Sequence, residues 1–266
     1  MNTTQIKKLT TWLAIGLICS LISHYLIELI YFNFDFKRVY SLVFEQRTEL
    51  FLLGSMIIFI IYSLFSFLMG SSVVGAILAF LISGSFGVIT KLKAIHRAEP
   101  FFPNEIYMIR EFPFLVEMIG YRTLLLIVSI ISMSIAGTIF YLKIRKKTKM
   151  IEYSISSFTK LRATGVILSI LTLLYIGRFN YPNNIVKEKY NNYAGWVAYH
   201  QNKNYTENGF IAGFLSNMPA PGMKLPSNYS EQKLNEIVGK YKEKANEINK
   251  ERLNQQLDTN VLFVMN

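Results

Sequence analysis

Long apolar runs alternate with short polar segments up to about residue 180, and then the pattern changes. The runs cover residues 13–31, 50–68, 73–89, 123–142 and 163–176. A helix needs roughly 20 apolar residues to cross a bilayer, so the pattern predicts about five transmembrane helices. The last run is short and spans only with Tyr175 and Arg178 at the interface. Gly70-Ser71-Ser72 predicts a tight turn between the second and third spans. Gly75, Ala76, Ala79, Gly84 and Gly87 in the third span predict close helix–helix approach, since small residues let backbones meet. In the polar segment 33–48, Phe36, Val39, Tyr40, Val43 and Phe44 recur at helical spacing. That spacing predicts a short amphipathic helix on the membrane surface.

After Arg178 the chain becomes polar and Asn-rich. Tyr181, Tyr190, Tyr193, Trp196 and Tyr199 suit a headgroup-level aromatic belt. Asn208-Gly209 is a turn dipeptide. The apolar stretch Phe210-Ile211-Ala212-Gly213-Phe214-Leu215 is expected to pack on the membrane surface or on a further domain. Pro219, Pro221 and Pro226 predict an extended stretch. Ser230 is an N-cap for a helix over about 230–253, with Leu234, Ile237, Val238, Tyr241, Ala245 and Ile248 on one stripe. Val261 to Met265 form a continuous apolar run that reads as one strand of a parallel sheet, buried on both faces. A parallel strand needs crossover partners. The expected fold class is therefore mainly α: a polytopic membrane helix bundle, an extracellular juxtamembrane helical tail, and one isolated β-strand of an α/β domain. The expected division is 1–178 transmembrane, 179–259 linker and 260–266 strand.

Composition sharpens this picture. The 266 residues are 52% hydrophobic and only 17% charged, with a net charge of +11. In a membrane protein such an excess serves topology and anionic headgroups, and no nucleic-acid-binding motif accompanies it. The block Lys143, Arg145, Lys146, Lys147, Lys149, Lys160 and Arg162 places its loop in the cytoplasm by the positive-inside rule. Counting spans from there puts the N-terminus inside, with Lys7 and Lys8, and everything after Arg178 outside. Cys19 is the single cysteine, which excludes an intrachain disulfide and a cysteine-based metal site. Ile18 is too bulky for a lipoprotein cleavage site.

Two places carry candidate chemistry. His24 and Glu28 stand four apart on one face of the first span. They form either a polar or proton-linked contact inside the bundle, or a pair near the outer interface satisfied by headgroups. Spacing alone favours the second. The segment 91–121 reads as a loop, with Pro103 at a helix start. Lys93, His96 and Arg97 are candidates to hold a lipid phosphate, with Glu99, Asn104 and Glu105 as supports. The alternative is a re-entrant or interfacial loop pinned by ordinary salt bridges. The sequons at Asn204 and Asn228 carry no weight in so Asn-rich a chain.

The order of these features resembles the N-terminal part of the lipoteichoic acid synthase and phosphoglycerol transferase family. The resemblance lies in the spans and in Arg97-Ala98-Glu99-Pro100 with Pro103-Asn104-Glu105. It continues through Asn204-Tyr205, the stretch from Asn208-Gly209-Phe210 to Ser216-Asn217, Pro226 and Tyr229-Ser230. It ends on Asn260-Val261-Leu262-Phe263-Val264-Met265-Asn266, which is similar to the first strand of a sulfatase-like domain. The resemblance implies a bacterial cell-membrane enzyme that transfers glycerol phosphate from phosphatidylglycerol to a glycolipid or glycan. It implies a threonine nucleophile and a divalent metal, usually manganese, both beyond Asn266. This chain is then expected to be truncated before the catalytic domain, to hold no catalytic residue or metal itself, and to be silent alone. Its expected partners are membrane lipids, phosphatidylglycerol among them. The competing expectation is a non-enzymatic membrane protein that binds lipid or a protein partner through its outer tail.

Overall fold

The computed structural model describes residues 3–111, isolated positions from 117 to 143, 159–222 and 229–251. The predicted strand 260–266 lies outside the described residues, as do much of the span at 123–142 and most of the basic block. Residues 1–221 form one compact unit and residues from 222 onward another. Among the described residues the chain is mainly helical, without strands.

Among the described residues four helices are long and apolar enough to cross a membrane. They are α1 (Thr3–Tyr31), α3 (Thr48–Met69), α4 (Ser72–Arg97) and α5 (Thr159–Gly177). At 1.5 Å per residue the 22 residues of α3 reach about 33 Å, close to the hydrocarbon thickness. α1, α3 and α4 pack on one another, and α5 packs on α3. Gly70 ends α3 in the left-handed region at φ 63°, and the Ser71 side chain accepts from Val74 N to start α4. The α3–α4 turn is thus as tight as Gly-Ser-Ser suggests. A Cβ on Gly75 would lie 2.8 Å from the Ser66 backbone. Ala79 is fully buried, whereas Gly84 faces open space and takes no part in the close approach. At this same end of α3, Arg162 donates to the carbonyls of Phe67 and Leu68 at 2.8 and 2.7 Å, satisfying a helix C-terminus.

The segment between α1 and α3 is helical but divides its apolar residues. α2 (Phe36–Tyr40) is capped by Asp35, which accepts from Arg38 N, and runs into a π-helical turn, Ser41–Gln46. Val39, Leu42 and Val43 are buried against Leu29, Phe32 and Phe51. Phe36, Tyr40 and Phe44 are exposed, as membrane-facing anchors would be. The π turn is what brings Leu42 and Val43 inward together.

Beyond α5 come three short helices: α6 (Ile185–Asn191), α7 (Gln201–Asn208) and α8 (Phe210–Ser216). They do not stand apart from the bundle. Phe179, Tyr190, Tyr205, Phe210, Ile211, Ala212 and Leu215 form one buried cluster with Ile27, Leu50, Ile58 and Ile176. The expectation that 210–215 packs on the membrane surface or a further domain is therefore corrected: α8 packs on α1 and α3. Its helical spacing makes a buried face of Phe210, Ile211 and Leu215 that the bundle covers. The second unit contains α9 (Glu231–Lys250), started by Ser230, whose hydroxyl accepts from Lys233 N at 3.2 Å.

Candidate functional site

Two turns of α1 place His24 and Glu28 on the same face, and the bundle and tail close over both. They are 2% and 1% exposed, which overturns the expectation of an interfacial pair satisfied by headgroups. Gly54 makes room for the imidazole; any Cβ there would collide with the His24 ring. The ring stacks on Phe51 at 4.5 Å. His24 Nδ1 lies 2.9 Å from Phe51 O and 3.0 Å from Ser55 Oγ, while Ser55 donates to the same carbonyl at 2.8 Å. A carbonyl can only accept, so Nδ1 carries a proton. Nε2 then faces Glu28 Oε1 at 3.5 Å. Each of these buried polar groups thus has the other within reach, as burial of either requires.

Glu28 also reaches the tail. Its Oε1 accepts from Phe210 N at 2.7 Å, across 182 residues. Phe210 opens α8, and Gly209 before it offers no capping side chain. Glu28 on α1 thus caps a helix from a distant part of the chain. Gly209 sits at φ +86°, and a Cβ there would lie 2.8 Å from Glu28 Oε1, so the contact needs glycine on both counts. Glu28 Oε2 has no hydrogen-bond partner among the described residues. It borders a small cleft with room for about one water molecule, also lined by His24, Arg47, Asn208 and Gly209.

Around this couple a ring of polar contacts fastens the tail. Arg47 donates to Tyr193 O at 2.9 Å and Glu207 O at 3.0 Å. Tyr205 donates to Phe101 O at 2.7 Å, and Asn202 to Ala98 O at 2.8 Å. Burial pushes the Tyr205 phenol above its usual range, so it stays a donor. Within the tail, Asn204 joins both backbone groups of Val197, and Asn208 joins both of Gly195. Asn180 holds Ser216 O and Met218 O. Phe101 stacks on Phe214, and Phe86 packs edge-on against the same ring.

The predicted loop at 91–121 begins in fact as the last two turns of α4, because nothing breaks the helix before Ala98 at φ 54°. A 3-10 helix, Pro103–Glu111, follows. Lys93 turns inward, 6% exposed. Its ammonium donates to Pro100 O at 2.7 Å, pairs with Glu105 at 2.6 Å and Glu99 at 3.4 Å, and lies 4.1 Å from the Phe102 ring centre. Glu105 also accepts from Phe102 N at 2.8 Å. Lys93, Glu99 and Glu105 thus come together as a brace that shapes the 98–105 turn. His96, Arg97 and Asn104 are exposed and outside that brace. Arg47, Ser55 and Gly54 were not singled out in the sequence. Nothing local marks them, since their partners lie far along the chain.

Among the described residues no group of three His, Cys, Asp or Glu side chains is placed to hold a metal ion. No family model, curated protein or solved structure matches the chain.

Proposed function

We propose that this chain is the membrane and juxtamembrane portion of a lipoteichoic acid synthase-like phosphoglycerol transferase, set in a bacterial cell membrane with its N-terminus inside and its tail outside. The observation that supports this most is where the residues of the resemblance fall. The 98–105 turn and the 202–210 segment are about a hundred residues apart in sequence, yet they meet where Tyr205 donates to Phe101 O and Asn202 to Ala98 O, and Phe210 N beside them reaches Glu28. A shared motif whose members jointly fasten an outer tail to a bundle suits a platform that presents a further domain at a set height above the leaflet. His96 and Arg97 remain the candidates for a lipid phosphate, phosphatidylglycerol being the donor this reading implies. Lys93 positions their turn. The residues here supply binding and position, and no step of transfer is assigned to them.

The test is to isolate the native protein from its own membranes with an antibody to α9. Peptides are mapped beyond Asn266, and manganese-dependent release of glycerol phosphate from phosphatidylglycerol is assayed. The reading expects an acidic residue soon after the terminal apolar run, a sulfatase-like sequence beyond it, and activity in that fraction. Residues 1–266 alone are expected to show none. A stop at Asn266 in the native protein, without activity, contradicts it. That result would favour a non-enzymatic membrane protein acting through its tail, a reading supported by the apolar side chains that α9 leaves exposed.

A further inference from the structure

α9 leaves Leu234, Ile237, Val238, Tyr241 and Ile248 between 42% and 68% exposed, and none of its residues is buried. A helix turns about 100° per residue, so Leu234, Val238, Tyr241, Ala245 and Ile248 lie within about 40° of a single line. The charges are sorted around that line. Lys242 lies about 90° to one side, and Lys244 and Lys233 lie a similar angle to the other. Glu236, Glu243 and Glu247 occupy the far face together with Lys240 and Lys250, while Glu231 in the first turn lies about 60° from the line, ahead of the stripe. Lys233 is held by Glu236 at 2.9 Å, so Lys242 and Lys244 are the cations left to flank the stripe.

This arrangement selects among occupants. In a paired copy the residues beside the seam set the match, and Lys242 and Lys244 would put lysine on both of its edges with no acid opposite. A leaflet of anionic lipid has the required order. Apolar side chains enter the headgroup–acyl boundary, lysine stems lie along it with their ammonium groups among phosphates, and the far face looks to water. We infer that α9 binds in the plane of an anionic phospholipid surface, with its 234–248 stripe inserted and Lys242 and Lys244 among the headgroup phosphates. The inference stands on α9 alone and does not rest on the family reading. Five lysines against four glutamates give the helix little net charge, so its preference for anionic lipid comes from where the lysines sit.

The full chain, with Cys19→Ser, is labelled at Val238→Cys or Glu243→Cys with an environment-sensitive fluorophore. It is reconstituted in phosphatidylcholine or in equal parts phosphatidylcholine and phosphatidylglycerol. The label at 238 is expected to be quenched by brominated lipid in the mixed bilayer and much less in phosphatidylcholine, while the label at 243 stays in water. Reversing both cations, Lys242→Glu with Lys244→Glu, should weaken the surface-bound state by about tenfold or more. A label at 238 as water-exposed as that at 243 in both bilayers overturns the inference. So does a label at 238 that is shielded from water yet untouched by brominated lipid, since a protein surface would then cover the stripe.

Discussion

Replacing Glu28 separates the tail's attachment from the stability of the bundle. Glu28→Ala removes the acceptor of Phe210 N, which belongs to a residue only 3% exposed. An unpaired buried donor costs about 1–3 kcal/mol, and breaking one partner of a buried ion pair costs about 3–5 kcal/mol. The His24 contact is long at 3.5 Å, and His24 keeps Phe51 O as a partner, so the lower range governs. A loss of about 2–3 kcal/mol should fall on the docking of α8. Each 1.4 kcal/mol is tenfold in an equilibrium constant, so amide protection across 205–217 should drop by roughly 30- to 140-fold. Glu28→Gln keeps an acceptor oxygen for Phe210 N but replaces the carboxyl's second oxygen with an amide, for a cost of about 1 kcal/mol and roughly a fivefold drop. Hydrogen exchange by mass spectrometry on protein in nanodiscs reads both variants, with the amides of α3 and α4 as internal controls. Unchanged protection at 205–217 in Glu28→Ala, or loss spread equally over all helices, refutes the reasoning.

Other substitutions probe the same attachment from different sides. Gly209→Ala places a Cβ at φ +86° and 2.8 Å from Glu28 Oε1, so exchange at α8 should rise as for a loss of about 1–3 kcal/mol. Tyr205→Phe deletes the 2.7 Å bond to Phe101 O and should lower the thermal midpoint in detergent by the equivalent of about 1 kcal/mol. Arg47→Ala removes bonds to Tyr193 O and Glu207 O, and limited proteolysis should then cut within 193–208 faster than elsewhere. Gly75→Val drives a side chain into Ser66 and should cost about 1–3 kcal/mol of bundle stability, read as a lower melting temperature with docking of α8 retained.

The four spans at 13–31, 50–68, 73–89 and 163–176 were legible because the bilayer imposes a single strong requirement, length with low polarity, which local composition records. The Gly70-Ser71-Ser72 turn and the Ser230 cap were legible for a similar reason, since the residues that make them are adjacent. The end of α4 was misplaced because charge at 91–97 looks like a loop, whereas a helix protruding past the hydrocarbon carries such charge readily. The burial of His24 and Glu28 was hidden for a different reason. Their four-residue spacing is local, but the groups that close over them, Phe51, Ser55 and Phe210, come from 27 to 182 residues away. The segment 210–215 was recognised as apolar, yet its partner was not, because hydrophobic pattern states that a face is covered and not by what. Lys93 shows the same gap: its three carboxylate and carbonyl neighbours were all noticed or adjacent, but their convergence on one ammonium was not.

The account stands or falls on whether the tail after α5 folds back on the ends of α1, α3 and α4 that carry Glu28, Arg47 and Ala98. Asn202 on α7 donates to Ala98 O at the end of α4, and Glu99 beside it is exposed. With Cys19→Ser, cysteines at Glu99 and Asn202 should be joined by a short, membrane-impermeant bismaleimide added to the outside of intact cells. The link should weaken when Glu28→Ala is combined with the pair. Cysteines that each react singly from outside yet never join, or that react only after the membrane is opened, would contradict it.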